Sequence, residues 1–411
     1  MVKDRGLGAV PRGVWALGLV SLLMDTSSEM IHALLPVFLV TSLGASALTL
    51  GLIEGVAEAT ASITKVFSGW LSDRLGKRKL LTVAGYGLAA LTKPLFAIAG
   101  TPGMVAAARF ADRVGKGVRG APRDALVADI TEPGARGAAF GLRQSLDTIG
   151  AFLGPALAIA LMALLGGNIR HVFAWAVVPA ILCVLVLIFG VREPPRVGTG
   201  RPQAPIAWRE LRGLGTPFWW VVAVGSVFTL ARFSEAFLVL RAQSVGLAIG
   251  LVPVVMIVMN LVYAGVSSPA GRLSDRIDRR WLLAAGMATL IVADAVLAGL
   301  GTIGGALFGA ALWGLHMGLT QGLLSALVAD AAPARLRGTA FGLFNLASGV
   351  ALLIASALAG WLWTAFGPAD TFIAGAAFAA LALSGVLATP RKVSGEEPAG
   401  RPQAGEEGGD G

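Results

Sequence analysis

The amino-acid sequence predicts an all-α integral membrane protein with twelve transmembrane helices, arranged as two six-helix repeats. Three observations lead to this prediction: an apolar composition, twelve apolar segments of spanning length, and two sequence blocks that recur at a nearly constant offset. Of the 411 residues, 55% are hydrophobic and 14% are charged, whereas soluble domains carry about 25% charged residues. The mean hydropathy of +0.75 agrees with a chain that lies largely in lipid.

Each predicted span is an apolar, Gly- and Ala-rich segment, and a helix needs about 20 such residues to cross a bilayer. The first half contains spans at 13–41, 47–72, 80–99, 104–128, 139–166 and 171–191, and the second half at 217–242, 247–271, 281–300, 303–329, 339–365 and 370–389. The first segment is too long for the apolar region of a signal peptide, so we interpret it as a spanning helix.

The spans divide the chain into four parts. We predict an N-terminal six-helix bundle over residues 1–191, a Pro- and Arg-rich cytoplasmic linker over 192–215, a C-terminal bundle over 216–390 and a disordered Gly/Glu/Pro-rich tail over 391–411. The basic loops alternate with loops poor in Lys and Arg, which places both termini and the linker in the cytoplasm.

The formal charge of +9 has its source in these basic loops, so we expect no nucleic-acid partner. Cys183 is the single cysteine, which excludes an intramolecular disulfide and a multi-cysteine metal site. The chain contains no G-x-x-x-x-G-K-[ST] phosphate-binding motif. The stretch "GKGVRG" at 115–120 spells G-x-G-x-x-G, but it follows no strand and lies inside a span, so it indicates no dinucleotide site. We predict neither cofactor nor metal.

Two separate blocks show that the halves are copies. "GWLSDRLGKRK" begins at Gly69 and returns as "GRLSDRIDRR" at Gly271, an offset of 202 positions. "ALVADITEPGARGAAFGL" at Ala125 returns as "ALVADAAPARLRGTAFGL" at Ala326, an offset of 201 positions. Two parallel six-helix halves are typical of transporters whose substrate binds between the halves near the middle of the membrane.

The first of these blocks, together with the twelve spans, resembles the major facilitator superfamily over essentially the whole chain. The loop after the second span matches that family's Gly-x-x-x-Asp-Arg-x-Gly-Arg/Lys-Arg/Lys pattern at Gly69, Asp73, Arg74, Gly76, Lys77 and Arg78, and its echo matches at Gly271, Asp275, Arg276, Arg279 and Arg280. The echo has Asp278 where Gly76 stands, so its turn is expected to differ. We interpret this motif as a conformational latch, with the alternative that it caps a tight turn and supplies positive charge to the cytoplasmic side.

Ionisable residues inside the spans concentrate in the first half. Because such residues are costly in lipid, they usually face a cavity. The candidates are Asp25, Glu29 and His32 in the first span, Glu54 and Glu58 in the second, Arg109, Asp112, Arg113 and Lys116 in the fourth, and Arg143 and Asp147 in the fifth. The second half has fewer ionisable residues inside its spans: Arg232 and Glu235 in the seventh span, Asp294 in the ninth and His316 in the tenth. At the positions that match Glu54, Glu58 and Lys116 it carries Met256, Asn260 and Met317.

Two of these spans resemble further patterns of the superfamily. Arg113, Lys116 and Gly117 resemble its Arg-x-x-Gln-Gly pattern in the fourth span, whose arginine is implicated in proton coupling, although Lys116 replaces the glutamine. "GAFLGP" with Gly150, Gly154 and Pro155 resembles the G-x-x-x-G-P motif of its antiporters. Glycines four residues apart also allow neighbouring helices to approach closely, so helix packing is the simpler role.

Three interpretations of these charges remain open, beside a purely structural ion-pair network. A carboxylate among Asp25, Glu29, Glu54 and Glu58 could load and release protons, with Arg113 as its partner. Alternatively, Arg109, Arg113 and Lys116 could bind an anionic substrate, since guanidinium groups hold carboxylate and phosphate well. In a third interpretation, Asp25, Glu29, His32 and His316 hold a divalent metal or its chelate.

The resemblance implies a monomeric secondary transporter of a prokaryotic inner membrane, working by alternating access around a cavity lined by spans 1, 2, 4, 5, 7, 8, 10 and 11. We expect proton-coupled efflux of a small solute. Uptake or export of an organic anion or a metal chelate is the alternative, and a non-transporting receptor is the alternative of another class. We expect no enzyme, since no nucleophile–base pair is evident. The sequence determines neither the substrate nor the direction.

Overall fold

The computed structural model confirms the predicted all-α class. It describes residues 10–193, 213–274, 277–333 and 336–388, which form helices and no strand. Twelve spanning elements follow one another along the chain: α1 Arg12–Ser42, α2 Ala47–Leu75, α3 Arg78–Ile98, α4 Pro102–Asp129, α5 Arg136–Leu164, α6 Ile169–Gly190, α7 Thr216–Ser244, α8 Val254–Ser274, α9 Arg279–Gly299, α10 Ile303–Ala331, α11 Arg337–Ala365 and α12 Pro368–Leu387. Their bounds agree with the predicted spans to within a few residues, apart from the start of α8.

Two of the twelve elements differ from the others in composition. By length, hydropathy and charge, ten of them qualify as membrane spans within the described residues, whereas α2 and α4 do not. Both helices are shielded by neighbours, because α2 packs along α11 and α4 packs between α2 and α3. Glu54 in α2 and Arg109 in α4 are accordingly buried among neighbouring helices, as the cost of charge in lipid requires, whereas Lys65 and Arg74 of α2 are exposed.

Capping residues fix where several helices begin. The hydroxyl of Thr101 accepts a hydrogen bond from the backbone N–H of Met104, with Pro102 in the first turn of α4. Thr302 caps α10 in the same way through the N–H of Gly305. These two threonines are separated by the offset that relates the repeats, so the duplication has preserved the local start signal of the fourth helix in each half.

Close glycine contacts repeat the same packing in both halves. A Cβ at Gly117 in α4 would lie 2.5 Å from the Cβ of Thr64 in α2, and a Cβ at the equivalent Gly318 would lie 2.9 Å from the Cβ of Val266 in α8. Glycine at these positions lets the backbones approach more closely than any larger residue would allow. The repeat is therefore a structural duplication as well as a sequence one.

Span α7 is interrupted, which the continuous apolar pattern did not predict. Residues 232–235 leave the helix between Thr216–Ala231 and Ala236–Ser244. The backbone N–H of Ser234 donates to the hydroxyl of Ser356 in α11, and the N–H of Ala236 donates to the hydroxyl of Ser234. Because side chains satisfy the freed backbone groups, the break is tolerated at membrane depth. Span α1 is also irregular, with a turn after His32 and a π-helical end at Phe38–Ser42.

The two halves meet tightly where α2 runs beside α11. A Cβ at Gly51 would collide with the carbonyl of Ser356, and a Cβ at Gly360 would collide with the carbonyl of Ala47. These contacts lie near the start of α2 and the end of α11, at the end of the bundle opposite the termini. The halves are therefore closed together on that side.

The loop motif after α2 forms the expected tight turn. Gly76 adopts a left-handed conformation with φ of 65° and ends α2, which favours glycine at this position. Asp278 occupies the matching position with φ of −58° and instead caps α9 through the N–H of Arg280, so the two turns differ as predicted. The Asp73 side chain, Asp275 and Arg276 lie outside the described part of the chain, as do linker residues 194–212 and the tail.

An ion pair next to this turn is present in both halves. Arg78 at the start of α3 pairs with Asp129 at the end of α4, and Arg279 at the start of α9 pairs with Asp330 in α10 at 2.6 Å. In the first half, Glu193 also accepts hydrogen bonds from the backbone N–H groups of Arg78 and Lys79. Each pair joins the third and fourth helices of its repeat on the side of the termini.

Candidate functional site

A cavity of about 460 Å³ lies between the two halves. Its walls come from α1, α2, α4, α5, α7, α8, α10 and α11, which are the eight spans named from the sequence. The two walls differ in chemistry. The N-terminal wall contributes Glu29, His32, Glu54, Glu58, Ser62, Arg113, Lys116 and Ala151, whereas the C-terminal wall contributes Thr229, Arg232, Phe233, Ser234, Glu235, Met256, Asn260, Trp313, Leu324, Phe344, Ser348 and Leu352. The cavity therefore presents a mainly ionic face opposite a face that is half polar and half aromatic or apolar.

Four side chains of the N-terminal half form a continuous chain of polar contacts. The imidazole Nδ1 of His32 lies 3.5 Å from Oε2 of Glu29, and its Nε2 lies 3.6 Å from Oε2 of Glu54. The same Oε2 of Glu54 accepts a hydrogen bond of 2.7 Å from Nη2 of Arg109. Glu54 and Arg109 are buried. The chain thus leads from Glu29 at the cavity surface to a guanidinium behind the wall.

The other two cations of α4 have different surroundings. Nη2 of Arg113 lies 3.3 Å from Oε1 of Glu58, so this arginine is already paired across the α2–α4 contact. Lys116 lines the cavity close to Arg113, Glu58 and Asp25. Within the described part of the chain Lys116 forms no ion pair shorter than 4 Å. Among the described residues, Lys116 is therefore the one unpaired cation of the three named for an anion site.

Asp112 does not contribute to the cavity. Its Oδ1 lies 2.9 Å from the ammonium of Lys93 in α3, and that ammonium also donates to the hydroxyl of Ser28 in α1. Both charged side chains are buried. This pair stabilises the contact among α1, α3 and α4, on the side of α4 that faces away from Glu54 and Glu58.

A second polar cluster joins α1, α4 and α5 outside the cavity lining. The side chains of Asp25 and Asp147 are within hydrogen-bonding contact. Asp147 also lies 3.7 Å from Nη1 of Arg143 and 4.0 Å from Nη1 of Arg123. Two carboxyl groups can share a hydrogen bond only when one of them carries a proton. This cluster therefore brings two carboxyl groups together next to two guanidinium groups.

The G-x-x-x-G-P stretch of α5 places that helix against α1. A Cβ at Gly150 would lie 2.5 Å from the carbonyl oxygen of Leu22, and one at Gly154 would lie 2.6 Å from the Cβ of Glu29. Pro155 follows inside the helix and is buried. These glycines therefore set the distance between α5 and the two acidic residues of α1.

The unwound segment of α7 supplies the charged groups of the C-terminal wall. Arg232 and Glu235 both line the cavity at residues 232–235, and Arg232 lies over the ring of Phe228 at 5.7 Å. Phe233 projects from the same segment, with its ring 5.4 Å from Trp313 and 5.7 Å from Phe372. Arg232 and Glu235 were predicted from the sequence, whereas the aromatic residues beside them were not. The repeat offset could have indicated Trp313, since it matches the charged Asp112.

A metal-binding arrangement is not evident in the described residues. No group of three or more His, Cys, Asp or Glu side chains in the described ranges is placed to hold an ion. His32 instead contacts two carboxylates, one through each ring nitrogen, and His316 packs its ring edgewise against Phe228 and Trp313. The two histidines named for a metal site thus lie in separate surroundings.

Comparisons with known proteins agree with this architecture. The model of the Major Facilitator Superfamily matches residues 17–259 and 236–407. An uncharacterised MFS-type transporter of Methanocaldococcus jannaschii is 32% identical over 401 residues, covering 94% of this chain and 95% of that protein. The multidrug resistance protein MdtH of Edwardsiella ictaluri is 26% identical over 200 residues, covering 49% of this chain and 48% of that protein.

Among solved structures, a POT family transporter in complex with 5-aminolevulinic acid has a TM-score of 0.77 at 13% identity, covering 93% of this chain and 96% of that one. At this identity the likeness concerns the fold alone. The family match spans both repeats, and the cavity lies where the two repeats meet. The chain therefore belongs to the Major Facilitator Superfamily and is an integral membrane protein of a transporter family.

Proposed function

We propose that this protein exports a small organic solute in exchange for protons, with the two halves alternating around the central cavity. Three features support this proposal: the position of the cavity between the repeats, the ionic wall of the first half, and the tight closure of the halves at one end. Alternating access requires the halves to separate where α2 meets α11 and to close on the side of the termini.

The observation that carries the proton coupling is the contact between Asp25 and Asp147. In this proposal the two carboxyl groups share one proton. Asp147 also lies next to the guanidinium groups of Arg143 and Arg123, whereas Asp25 forms no ion pair shorter than 4 Å within the described ranges. The proton is therefore assigned to Asp25. Loss of that proton would leave two facing carboxylates between α1 and α5, and their repulsion would favour a different arrangement of these helices.

The series of polar contacts from Glu29 to Arg109 links proton binding to solute binding. Each of its side chains already contacts another one in the series, so an ionic solute that contacts Glu29 or His32 competes with that partner. Lys116 lies close to both Asp25 and Glu58, which connects the carboxyl pair to the cavity surface. Solute binding and proton binding would in this way disturb the same set of charges.

Export is the proposed direction, and the name of the multidrug resistance relative supports it. We further propose that the protein works as a monomer in a prokaryotic inner membrane with both termini in the cytoplasm, and that it binds no nucleic acid. The loops and helix ends on the side of the termini carry Arg74, Lys77, Lys79, Arg192 and Arg280. Positive charge concentrated on one side favours a cytoplasmic location for that side.

A second candidate function is transport of an organic anion. Two cations of the cavity favour it: Lys116 on one wall and Arg232 on the other form no ion pair shorter than 4 Å within the described ranges. An anionic group of a solute would find one unpaired cation on each half. The aromatic side chains of the C-terminal wall would contact the apolar part of such a molecule.

Transport in proteoliposomes tests the proposal. Purified protein would first be screened by thermal shift with cationic ethidium and anionic carboxyfluorescein, which differ in the sign of charge. Transport of the stabilising dye would then be measured with and without an imposed pH gradient. We expect gradient-dependent transport in the native protein and gradient-independent exchange in Asp25→Asn. Gradient dependence that is unchanged in Asp25→Asn would overturn the role of the carboxyl pair.

A matched control keeps the experiment specific. Asp124→Asn changes another carboxylate of the same cluster, one that contacts Arg123 and Arg143 but not Asp25. We expect this variant to retain the response to the pH gradient. Absence of any gradient-driven transport in native protein, with both dyes bound, would contradict proton coupling itself and leave the receptor interpretation.

A further inference from the structure

A second buried carboxyl group lies in the C-terminal half, away from the charged wall. Asp294 in α9 has no solvent exposure. Within the described ranges, neither of its carboxylate oxygens has a hydrogen-bond partner. A charged group without a partner is very unfavourable in such a place, so the carboxyl group is held there in its neutral, protonated form.

Comparison of the repeats shows that the position equivalent to a counter-ion is uncharged in the second half. Asp294 matches Lys93 of the first half, and Trp313 matches Asp112, both at the offset of 201 positions that relates the second pair of blocks. In the first half, Lys93 and Asp112 form an ion pair of 2.9 Å between the third and fourth helices. In the second half, one member is an acid and the other is a tryptophan that lines the cavity. The ionisable position is kept while its counter-ion is replaced by part of the cavity wall.

Asp294 lies directly behind that wall. A Cβ built on Gly375 in α12 would lie 2.6 Å from Oδ2 of Asp294 and 3.0 Å from the ring of Phe233. The carboxyl group and the ring therefore flank the same glycine. Phe233 lines the cavity and belongs to the unwound segment 232–235 of α7, where the backbone is not held by helical hydrogen bonds.

The charged groups around this position are few. The unwound segment of α7 carries Arg232 and Glu235, both at the cavity, and α7 also carries Arg241, whose guanidinium donates to the backbone carbonyls of Leu297 and Ala298 in α9. His316 in α10 has no hydrogen-bond partner for its ring nitrogens in the described ranges. The only ionisable residue of α12 is Asp370, in its first turn. None of these groups forms an ion pair shorter than 4 Å with Asp294 in the described part of the chain.

We propose that Asp294 is a proton-binding site that the segment 232–235 closes off from the cavity. When that segment moves, Phe233 leaves the carboxyl group, water reaches it, and the proton dissociates into the cavity. This site adds a proton-binding carboxyl group to the proton-coupled transport proposed above, and its role in transport rests on that proposed function. Gly375 leaves room for the carboxyl group, since any larger residue would displace it.

Carbodiimide labelling tests this site. Dicyclohexylcarbodiimide is an apolar reagent that modifies carboxyl groups in their protonated form, and peptide mass spectrometry locates the adduct. We expect an adduct on Asp294 in the native protein. In Phe233→Ala the carboxyl group is open to the cavity, so its labelling should become sensitive to pH and fall in mildly alkaline buffer. Phe344→Ala, which changes another aromatic residue of the cavity, should label like the native protein.

Different results would overturn the Asp294 site and the proposed function. No adduct on Asp294 in either the native protein or Phe233→Ala would overturn the inference, and so would labelling that is independent of pH in Phe233→Ala. Asp294→Asn should keep its thermal stability and shift the pH profile of dye transport, and an unchanged profile would also overturn it. If Asp294 is labelled as expected but transport by the native protein does not respond to a pH gradient, the proposed function is overturned and the Asp294 site is not.

Discussion

Nη2 of Arg109 in α4 donates a hydrogen bond of 2.7 Å to Oε2 of Glu54 in α2, and both side chains are buried. This pair joins the two most charged helices of the protein, neither of which has the composition of an ordinary membrane span. Their charges are accommodated because each helix supplies the counter-ion of the other. The same carboxylate also faces His32, which connects the pair to the cavity.

We predict that Glu54→Gln is strongly destabilising. Removing one member of a buried ion pair typically costs about 3–5 kcal/mol, because the remaining charge has no partner. The remaining charge would be that of Arg109. Its neighbour His32, when protonated, has no acceptor atom for a hydrogen bond from the guanidinium. The apparent unfolding temperature in detergent should fall well below that of the native protein.

The double variant Glu54→Gln/Arg109→Gln is the matched control for this pair. It removes both charges, so we expect it to recover much of the stability lost in Glu54→Gln. A double variant that is as unstable as the sum of the two single variants would show that the pair is not coupled.

Arg113→Ala should behave differently from Glu54→Gln. Its partner Glu58 is at the cavity surface, where water can solvate the carboxylate once the guanidinium is gone. We therefore expect insertion and thermal stability near those of the native protein, together with loss of dye transport. Arg113→Lys keeps the charge and should retain part of the activity. Full transport by Arg113→Ala would reduce this arginine to a structural role.

Gly154→Ala tests the packing of α5 against α1. The added methyl group would meet the Cβ of Glu29 and the carbonyl of Thr26, and overpacking of this kind costs about 1–3 kcal/mol. Gly141→Ala in the same helix adds a methyl group with no atom within 4 Å, so it should be neutral or slightly stabilising. Equal stability of the two variants in a thermal-shift assay would contradict the close approach.

The ion pairs beside the two loop motifs predict an asymmetry between the halves. Asp129 is less exposed than Asp330, at 30% against 57% of the side chain, and exposed pairs contribute about 0–1 kcal/mol. We expect Asp129→Asn to slow dye transport more than Asp330→Asn, with dye affinity unchanged in both. An equal rate in the two variants, or a large loss of affinity in either, would contradict a role in conformational change.

Much of the fold could be predicted because its determinants are local. The apolar segments and the capping residues, such as Thr101 and Thr302, are visible in the sequence, and the offset between the repeats indicates their parallel arrangement. The different turns at Gly76 and Asp278 could also be predicted, because glycine favours the left-handed conformation that ends α2.

The site could be predicted only in part, because the neighbouring helices determine which partner a side chain contacts. Arg113 and Asp112 are adjacent in sequence, yet one faces Glu58 near the cavity and the other faces Lys93 in α3. The break in α7 contains neither proline nor glycine, and its backbone bonds to the side chain of Ser234 within the break and to that of Ser356 in α11. Such tertiary contacts leave no local pattern.

Accessibility of the cavity to water tests the central claim most directly. In a Cys183→Ser background, Ser62→Cys in α2 and Asn260→Cys in α8 would place thiols on the two walls, and Ser27→Cys would place one in the buried contact with the carbonyl of Ala176. We predict that a membrane-impermeant thiol reagent modifies the first two in inside-out vesicles and spares the third. Protection of both wall positions, under every gradient and ligand condition applied, would contradict a water-filled chamber between the halves.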